Sequence, residues 1–399
     1  MSSNADPNFV ELRAGGRSLK GWTDVTITAG VTMAARSFSL GITYQWPGAR
    51  DVLSSISLGD PCEVWIGDDP VLTGYVFASP ISYASNFVRV QVDGRSRTAD
   101  IIDCCPDAAA VSSSTMSSDS GDGWADAKIV GSKGTVQSAS TPKASQWKSQ
   151  KIEQIAADLC APYGVEVVAQ TSTGDPIELH AVDPGETCFE SISRLLTIGQ
   201  LFATDDEAGR LVITKPGALG DAAGGLEIGV NILEASAKRD ASAIYSDYVV
   251  EGQRVGSDLA FGAAAAHLRA GAVDVETKRH RMLALAQSGS VTPDLCRQIA
   301  SFEQRHRRAL LQAVSYTVVG WRDAVGKLWR PNTLVHVKDT LLGLDRKLLV
   351  SEVTYSLSDR GQLAQLNLAP IEAFEAEPTA TEETAASDGS TSSWLDEVK

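Results

Sequence analysis

Apolar side chains recur at every second position along the first hundred residues, in short runs punctuated by Gly, Asp and Pro. Phe38, Leu40, Ile42 and Tyr44 alternate with Ser39, Gly41 and Thr43, the period of a strand with one buried face. Val88, Val90 and Val92 repeat the pattern against Arg89 and Gln91. Gly59-Asp60-Pro61 and Gly67-Asp68-Asp69-Pro70 bracket residues 62–66, so strand, turn and strand follow at short spacing. Several such strands predict a β-barrel or sandwich over residues 1–106.

The pattern then lapses. Residues 107–146 are Ser/Gly-rich, with ten serines between 107 and 145 and the stretch SSSTMSSDSGDG. Too little apolar surface is present to offset ordering entropy, which predicts a mobile surface insertion. Over 147–240 the period turns helical and a small α/β domain is expected. Ile152, Ile155 and Leu159 share a face, and Pro162 and Gly164 end that helix. Asp183-Pro184-Gly185-Glu186 reads as an N-cap with proline at the first helical position and an acid at the third. The apolar face of this second helix is Phe189, Ile192, Leu195 and Leu196, and strands at 165–169 and 211–214 flank the pair.

Residues 241–375 return to strands, at 244–250, 314–319, 333–338, 347–355 and 363–368. A helix starting at Thr292-Pro293 interrupts them, with Leu295, Ile299, Phe302, His306 and Ala309 as its buried stripe. Residues 376–399 hold six acids against Lys399 alone and read as a disordered tail, with Trp394-Leu395 as a short docking motif. Two stretches follow one plan: proline, strand, acidic turn, strand, turn, strand. The first runs from Pro61 to Val92 and the second from Pro331 to Leu368. Duplication of one unit and coincidence between two antiparallel meanders both fit this. Duplication would give two similar barrels separated by an α/β insertion.

A chain of 399 residues exceeds one usual hydrophobic core, so two to four domains are expected. The composition, 43% hydrophobic and 21% charged, is that of a globular protein, without an apolar run of about 20 residues to span a membrane. The N-terminus MSSNADPNFV has no signal-peptide pattern, so the chain is expected to stay where it is made, without membrane insertion. Six scattered cysteines form no CxxC and suit a reducing compartment. A net charge of −15 argues against a dedicated nucleic-acid binder.

Candidate chemistry is sparse. His180, His267, His280, His306 and His336 form neither HxxxH nor HExxH, so no metal site is assigned. GxSxG, P-loop and GxGxxG motifs are absent, and Gly326-Lys327 lacks the upstream glycine of a P-loop. The acid pairs Asp68-Asp69 and Asp205-Asp206 could be drawn as a glycosidase dyad, but turn contexts favour solvated acids. Lys278-Arg279-His280-Arg281 and Arg305-His306-Arg307-Arg308 could touch phosphate; a helix C-terminus or an acidic partner subunit suits the second cluster better. Trp46, Trp124 and Trp147, beside Gly and Ser, are candidate exposed aromatics for a glycan-binding surface. No catalytic, cofactor-binding or metal residue is assigned, no cofactor is expected, and the chain is read as not an enzyme.

A series of ordered segments carries a family resemblance. Leu12-Arg13-Ala14-Gly15-Gly16-Arg17 leads to Gly21-Trp22-Thr23-Asp24-Val25, then to residues 92–104, VDGRSRTADIIDC. Gln146-Trp147-Lys148 precedes residues 152–165, IEQIAADLCAPYGV. Gly320-Trp321, residues 328–335 (LWRPNTLV), residues 349–353 (LVSEV) and Leu368-Ala369-Pro370 close the series. In order and spacing this resembles the Mu-like phage baseplate hub, or tail protein P, family. The serine-rich segment departs from the family, which has a brief connection there. The resemblance implies an α+β, β-rich chain with two similar tube-type β-barrel domains and small α/β domains inserted between or beside them. It further implies a homotrimeric ring in the baseplate of a contractile tail, assembled in the bacterial host cytoplasm. Its implied partners are the central spike protein, the tail tube protein and other baseplate proteins, with DNA passing through an axial channel without specific binding. An acidic surface suits such a conduit. Competing readings are a receptor- or glycan-binding tail module and a tail-associated peptidoglycan hydrolase.

Overall fold

A computed structural model describes residues 8–45, 56–85, 87–106, 128–130, 136–138, 146–253 and 268–378. The chain divides into two compact units, one of Met1–Ala235 with Ser315–Leu368, the other of Ser236–Val314 with Ala369–Lys399. Residues 241–375, expected as one barrel with an inserted helix, are therefore shared between the two units.

The first unit opens with β1 (Val10–Ala14), β2 (Arg17–Leu19), β3 (Asp24–Gly30), β4 (Ser37–Gln45), β5 (Pro61–Ile66), β6 (Asp69–Ala78), β7 (Ile81–Tyr83) and β8 (Phe87–Ser96). The period-2 runs are these strands: Phe38, Leu40, Cys62, Val64, Ile66, Val88, Val90 and Val92 are all buried. Gly74 and Gly94 allow β6 and β8 to approach closely. A Cβ on Gly74 would sit 1.9 Å from the Arg95 carbonyl oxygen, and one on Gly94 2.6 Å from the Tyr75 carbonyl oxygen.

A short helix, α1 (Ala99–Asp103), and a small antiparallel pair, β9 (Lys128–Val130) with β10 (Val136–Ser138), follow. The rest of the serine-rich insertion lies outside the described residues. The α/β region contains β11 (Gln146–Gln150), α2 (Ile152–Cys160), β12 (Val167–Ala169), β13 (Ile177–Ala181), α3 (Cys188–Ile198), β14 (Phe202–Asp205) and β15 (Leu211–Thr214). Ile155, Leu159, Ile192, Leu195 and Trp147 form its core with Ile101 from α1. The start of α3 differs from the expectation. Its N-cap is Thr187, whose Oγ1 accepts the Glu190 N–H at 3.2 Å while Glu190 accepts the Thr187 N–H at 2.8 Å. Gly185 has φ +85°, left-handed backbone that no right-handed helix includes, so Asp183–Glu186 is a turn. Two acid-bearing cap patterns lie four residues apart, and backbone geometry selects the second.

The chain continues through β16 (Asp221–Glu227) and β17 (Ile232–Ser236), then enters the second unit. There β18 (Asp247–Gln253) lies between β19 (Leu268–Val273) and β20 (Met282–Ser290). Helix α4 (Pro293–Leu310) is capped by Thr292, whose Oγ1 accepts the Leu295 N–H at 3.2 Å, with proline in its first turn as expected. Leu295, Cys296, Ile299 and Ala300 pack with Tyr248 and Val250 of β18. Back in the first unit come β21 (Val314–Val319), β22 (Leu334–Asp339), β23 (Leu344–Ser358) and β24 (Gly361–Ala369). Among the described residues no helix is long and apolar enough to cross a membrane.

One 14-stranded sheet holds strands from both ends of the chain, and its order repeats. The first half runs β3-β4-β8-β6-β5-β1; the second runs β17-β21-β24-β23-β22-β16. Matching strands in chain order gives the same permutation of six. The halves differ at one edge: β1 is antiparallel to β5, whereas β16 is parallel to β22. They join because β23 is 15 residues long. Leu344–Leu349 pair with β22, and residues 352–357 pair antiparallel with β3, from Glu352↔Gly30 to Leu357↔Val25.

Candidate functional site

The residues weighed for chemistry fall into structural roles. Among the described residues no group of three or more His, Cys, Asp or Glu is placed to hold a metal. His180 is buried, its Nε2 2.8 Å from Ser191 Oγ and its ring 5.8 Å from that of Trp147. Burial, with the charge of Arg194 adding, holds its imidazole below the ordinary value. His280 and His336 face Asp247 and Asp345 at 3.1 and 3.2 Å, and His306 stacks on Phe302. His267 lies outside the described residues.

The acid pairs do not form dyads. Asp69 takes Arg322 at 2.6 Å, Asp206 takes Arg210 at 2.7 Å, and Asp205 is buried elsewhere. The arginines of the second basic cluster pair with acids of the chain itself. Arg307 pairs with Glu303 at 2.6 Å, Arg308 with Asp274 at 2.5 Å and with Glu276, and Arg305 with Glu375 at 3.7 Å. Arg281 donates to the Ala241 and Ser242 carbonyls and lies over Tyr245. Trp147 is 2% exposed, not a surface aromatic: it fills the α/β core and donates to Asp158 at 2.9 Å. Trp46 and Trp124 lie outside the described residues. Burial pushes the Cys62, Cys160 and Cys188 thiols up to about 12, so they act as small hydrophobes.

The concentrated polar structure lies instead where the two sheet halves and the α/β region meet. Arg36, just before β4, is buried against Asp205 at the end of β14. The Arg36 N–H and Nε donate to the Asp205 carboxylate at 2.9 and 3.1 Å, Nη2 to the Asp205 carbonyl at 3.0 Å, and Nη1 to the Val71 carbonyl at 2.9 Å. Glu207 lies 3.6 Å from Arg36 and 3.4 Å from Arg330. Burial is the largest influence on both Arg36 and Asp205 and disfavours each charge; the carboxylates outweigh it at Arg36. Close by, the Tyr355 hydroxyl of β23 donates to the Trp329 carbonyl. Asn332, at φ +67°, accepts the Gly217 N–H at 2.7 Å and donates to the Lys215 carbonyl at 3.1 Å, tying the β15–β16 turn to the second half. Sequence reading passed over Arg36, Tyr355 and the turn geometry of Asn332. It took Asp205 for a solvated acid; the one available signal was that β14 places Asp205 on the buried side of a period-2 strand, with Ala203.

This geometry ties the first half of the sheet to the α/β region, and the comparisons place the chain by its architecture. The model of the Mu phage baseplate assembly protein GpP-like N-terminal domain matches residues 9–96. The second domain of baseplate hub protein gp44-like proteins matches 135–215, and the fourth domain of GpP matches 292–377. Baseplate hub protein gp44 of Escherichia phage Mu is 30% identical over 378 residues, covering 92% of this chain and 89% of that protein. The 43 kDa tail protein of prophage MuSo2 from Shewanella oneidensis shares 28% identity with a TM-score of 0.76, covering 92% of this chain and 99% of that one. A tail protein from Neisseria meningitidis MC58 has the same fold, with TM-score 0.68, 20% identity and coverage of 93% and 99%. The class so defined is a structural protein of a phage tail. Within that class, the chain belongs to the family of Mu phage baseplate hub proteins, whose place is the virion tail baseplate.

Proposed function

We propose that three copies of this chain form a ring that joins the six-fold tail tube to the three-fold central spike of a contractile tail. The observation that carries this is the six-strand order used twice in one sheet. Two alike halves per chain, read as tube-type barrels, give a trimer six equivalent positions, so one face matches a six-fold ring while the chain symmetry stays three-fold. The β3–β23 joint supports this by fixing the first half against the second, and the Arg36–Asp205 pair ties the first half to the α/β region. A net charge of −15 suits an axial channel through which DNA slides without being held. The role is mechanical and needs no turnover; the other baseplate proteins are further partners, and assembly takes place in the host cytoplasm.

Light scattering on the purified chain is expected to give three times the chain mass, with affinity for the spike and tube proteins. A monomer that persists at high concentration and binds neither protein would defeat the proposal. The receptor- or glycan-binding reading loses Trp147 to the core. A zymogram without a cleared band is the expected result against the hydrolase reading.

A further inference from the structure

The sheet of the second unit is covered on one face only. Tyr248 and Val250 of β18 pack with α4, as do Leu283 and Leu285 of β20. By alternation, Asp247, Val249 and Glu251 lie on the opposite face. Register places Asp247 between Val273 and Met282, Val249 between Gly271 and Ala284, and Glu251 between Arg269 and Ala286. The β19 and β20 members of these rows are all exposed. Val273 is 65% and Met282 52% exposed, so the middle of this face is a contiguous small and apolar surface.

Its rim is cationic. Arg269 reaches along the face, with Nη2 3.8 Å from Met282 Sδ and Nε 3.6 Å from Glu251. The loop of residues 274–281 runs past the start of β18, where His280 meets Asp247 at 3.1 Å. Next to His280, Lys278 and Arg279 are exposed and make no ion pair among the described residues.

The end of the chain starts beside this rim. Ala373 and Phe374 pack with Ala309 in the last turn of α4, and Glu375 pairs with Arg305. One residue before Ala309, Arg308 holds Asp274, the first residue of the cationic loop. Residues 379–399 lie outside the described residues. Their sequence sets Glu382, Glu383, Asp388, Asp396 and Glu397 against Lys399 alone, with Trp394-Leu395 as its large apolar pair. From residue 378 to Trp394 an extended chain spans up to about 55 Å, against roughly 20 Å for the thickness of a helix packed on a sheet.

We infer that the C-terminal segment of each chain docks on this face of its own second unit, with Trp394-Leu395 on Val249, Val273 and Met282 and with Asp396-Glu397 at Lys278 and Arg279. An indole placed there buries its ring on apolar side chains and meets the Arg269 guanidinium, a cation its face attracts. The other stretch of this unit outside the described residues is 254–267. It attaches at the far end of the sheet, between Gln253 and Leu268, and Asp258 is its one acid, so both position and charge favour the terminus.

Paired cysteines in the full-length chain, in a Cys105→Ser background, test this. Val275, 87% exposed and two residues beyond Val273, is replaced by cysteine together with Ser393. Mild oxidation is expected to join Val275→Cys to Ser393→Cys within one chain, found as a linked peptide pair in the monomer band of a denaturing gel. Trp394→Ala, and separately Lys278→Glu with Arg279→Glu, should each slow that linkage at least about tenfold. Without oxidation, maleimide labelling of Val275→Cys alone should speed up when Trp394→Ala is added. A linkage that forms as fast with Trp394→Ala as without it overturns the docking. Linkage between two chains gives the face to another copy, and linkage from Phe261→Cys in place of Ser393→Cys gives it to residues 254–267; either overturns the assignment to the chain's own terminus.

Discussion

Asp205→Ala is the most informative single change in the described structure. It deletes the carboxylate that receives the Arg36 N–H at 2.9 Å and Nε at 3.1 Å, while the backbone acceptors of Nη1 and Nη2, at Val71 and Asp205, remain. Arg36 is 7% exposed and cannot turn to solvent, so it keeps its charge with Glu207, 3.6 Å away, as the remaining carboxylate. Breaking one partner of a buried pair costs about 3–5 kcal/mol, and the retained carbonyl bonds place this case near the lower end, about 3 kcal/mol. Urea denaturation followed by tryptophan fluorescence reads this directly, since Trp321 is fully buried in the same unit. With slopes of about 1–3 kcal/mol/M, the midpoint should fall by roughly 1 M or more. The double variant Arg36→Met with Asp205→Leu removes both charges and should recover most of the loss. A loss below about 1 kcal/mol, or a double variant as unstable as the sum of the singles, would refute the claim that an uncompensated buried charge is the cause.

Three further expectations follow from local geometry. His180 is held below its ordinary value of 6.5, chiefly by burial, so the unfolded chain takes up the proton first as pH falls. Its stability contribution is complete above the unfolded value and lost as pH drops through it, so thermal melts should decline from about pH 7 to 5, and His180→Gln should flatten that decline. Gly74→Ala would press a Cβ to 1.9 Å from the Arg95 carbonyl oxygen; β6 and β8 must separate, and a loss of several degrees in melting temperature is expected. Thr187→Ala removes the α3 cap and should cost about 1 kcal/mol by urea denaturation, whereas Asp183→Ala should cost less than half of that, because Asp183 caps no helix.

What the sequence revealed was local. Strands such as Ser37–Gln45 and the helix after Thr292-Pro293 were legible because period-2 alternation and a cap with proline act over a few residues. The α3 start was misread because two cap patterns compete, and a positive φ at Gly185 decides between them. Trp147 looked like a surface aromatic because its neighbours are small and polar, while its burial depends on helices that follow it. The joint was out of reach. Thr28 meets Thr354 across 326 residues, and Arg36 meets Asp205 across 169. No local period encodes such pairings. The two meanders at 61–92 and 331–368 were visible, but the shared six-strand order appears only once every neighbour is known.

The two halves differ most between their second and third strands. In the first half, β3 passes to β4 through residues 31–36; in the second, the matching passage from β17 to β21 holds nearly the whole second unit. Since β17 and β21 are neighbours in the sheet, the stretch between them leaves and re-enters at one position in the strand order, and residues 369–399 join the same unit after β24. Such a position works as a socket. Its content can be lengthened, exchanged or cut to six residues with little effect on the strand order around it, because both sides of the gap are already hydrogen-bonded to each other. The stretch held at this position can thus vary while the strand order around it is kept. The same socket is where a foreign domain could be carried once per chain.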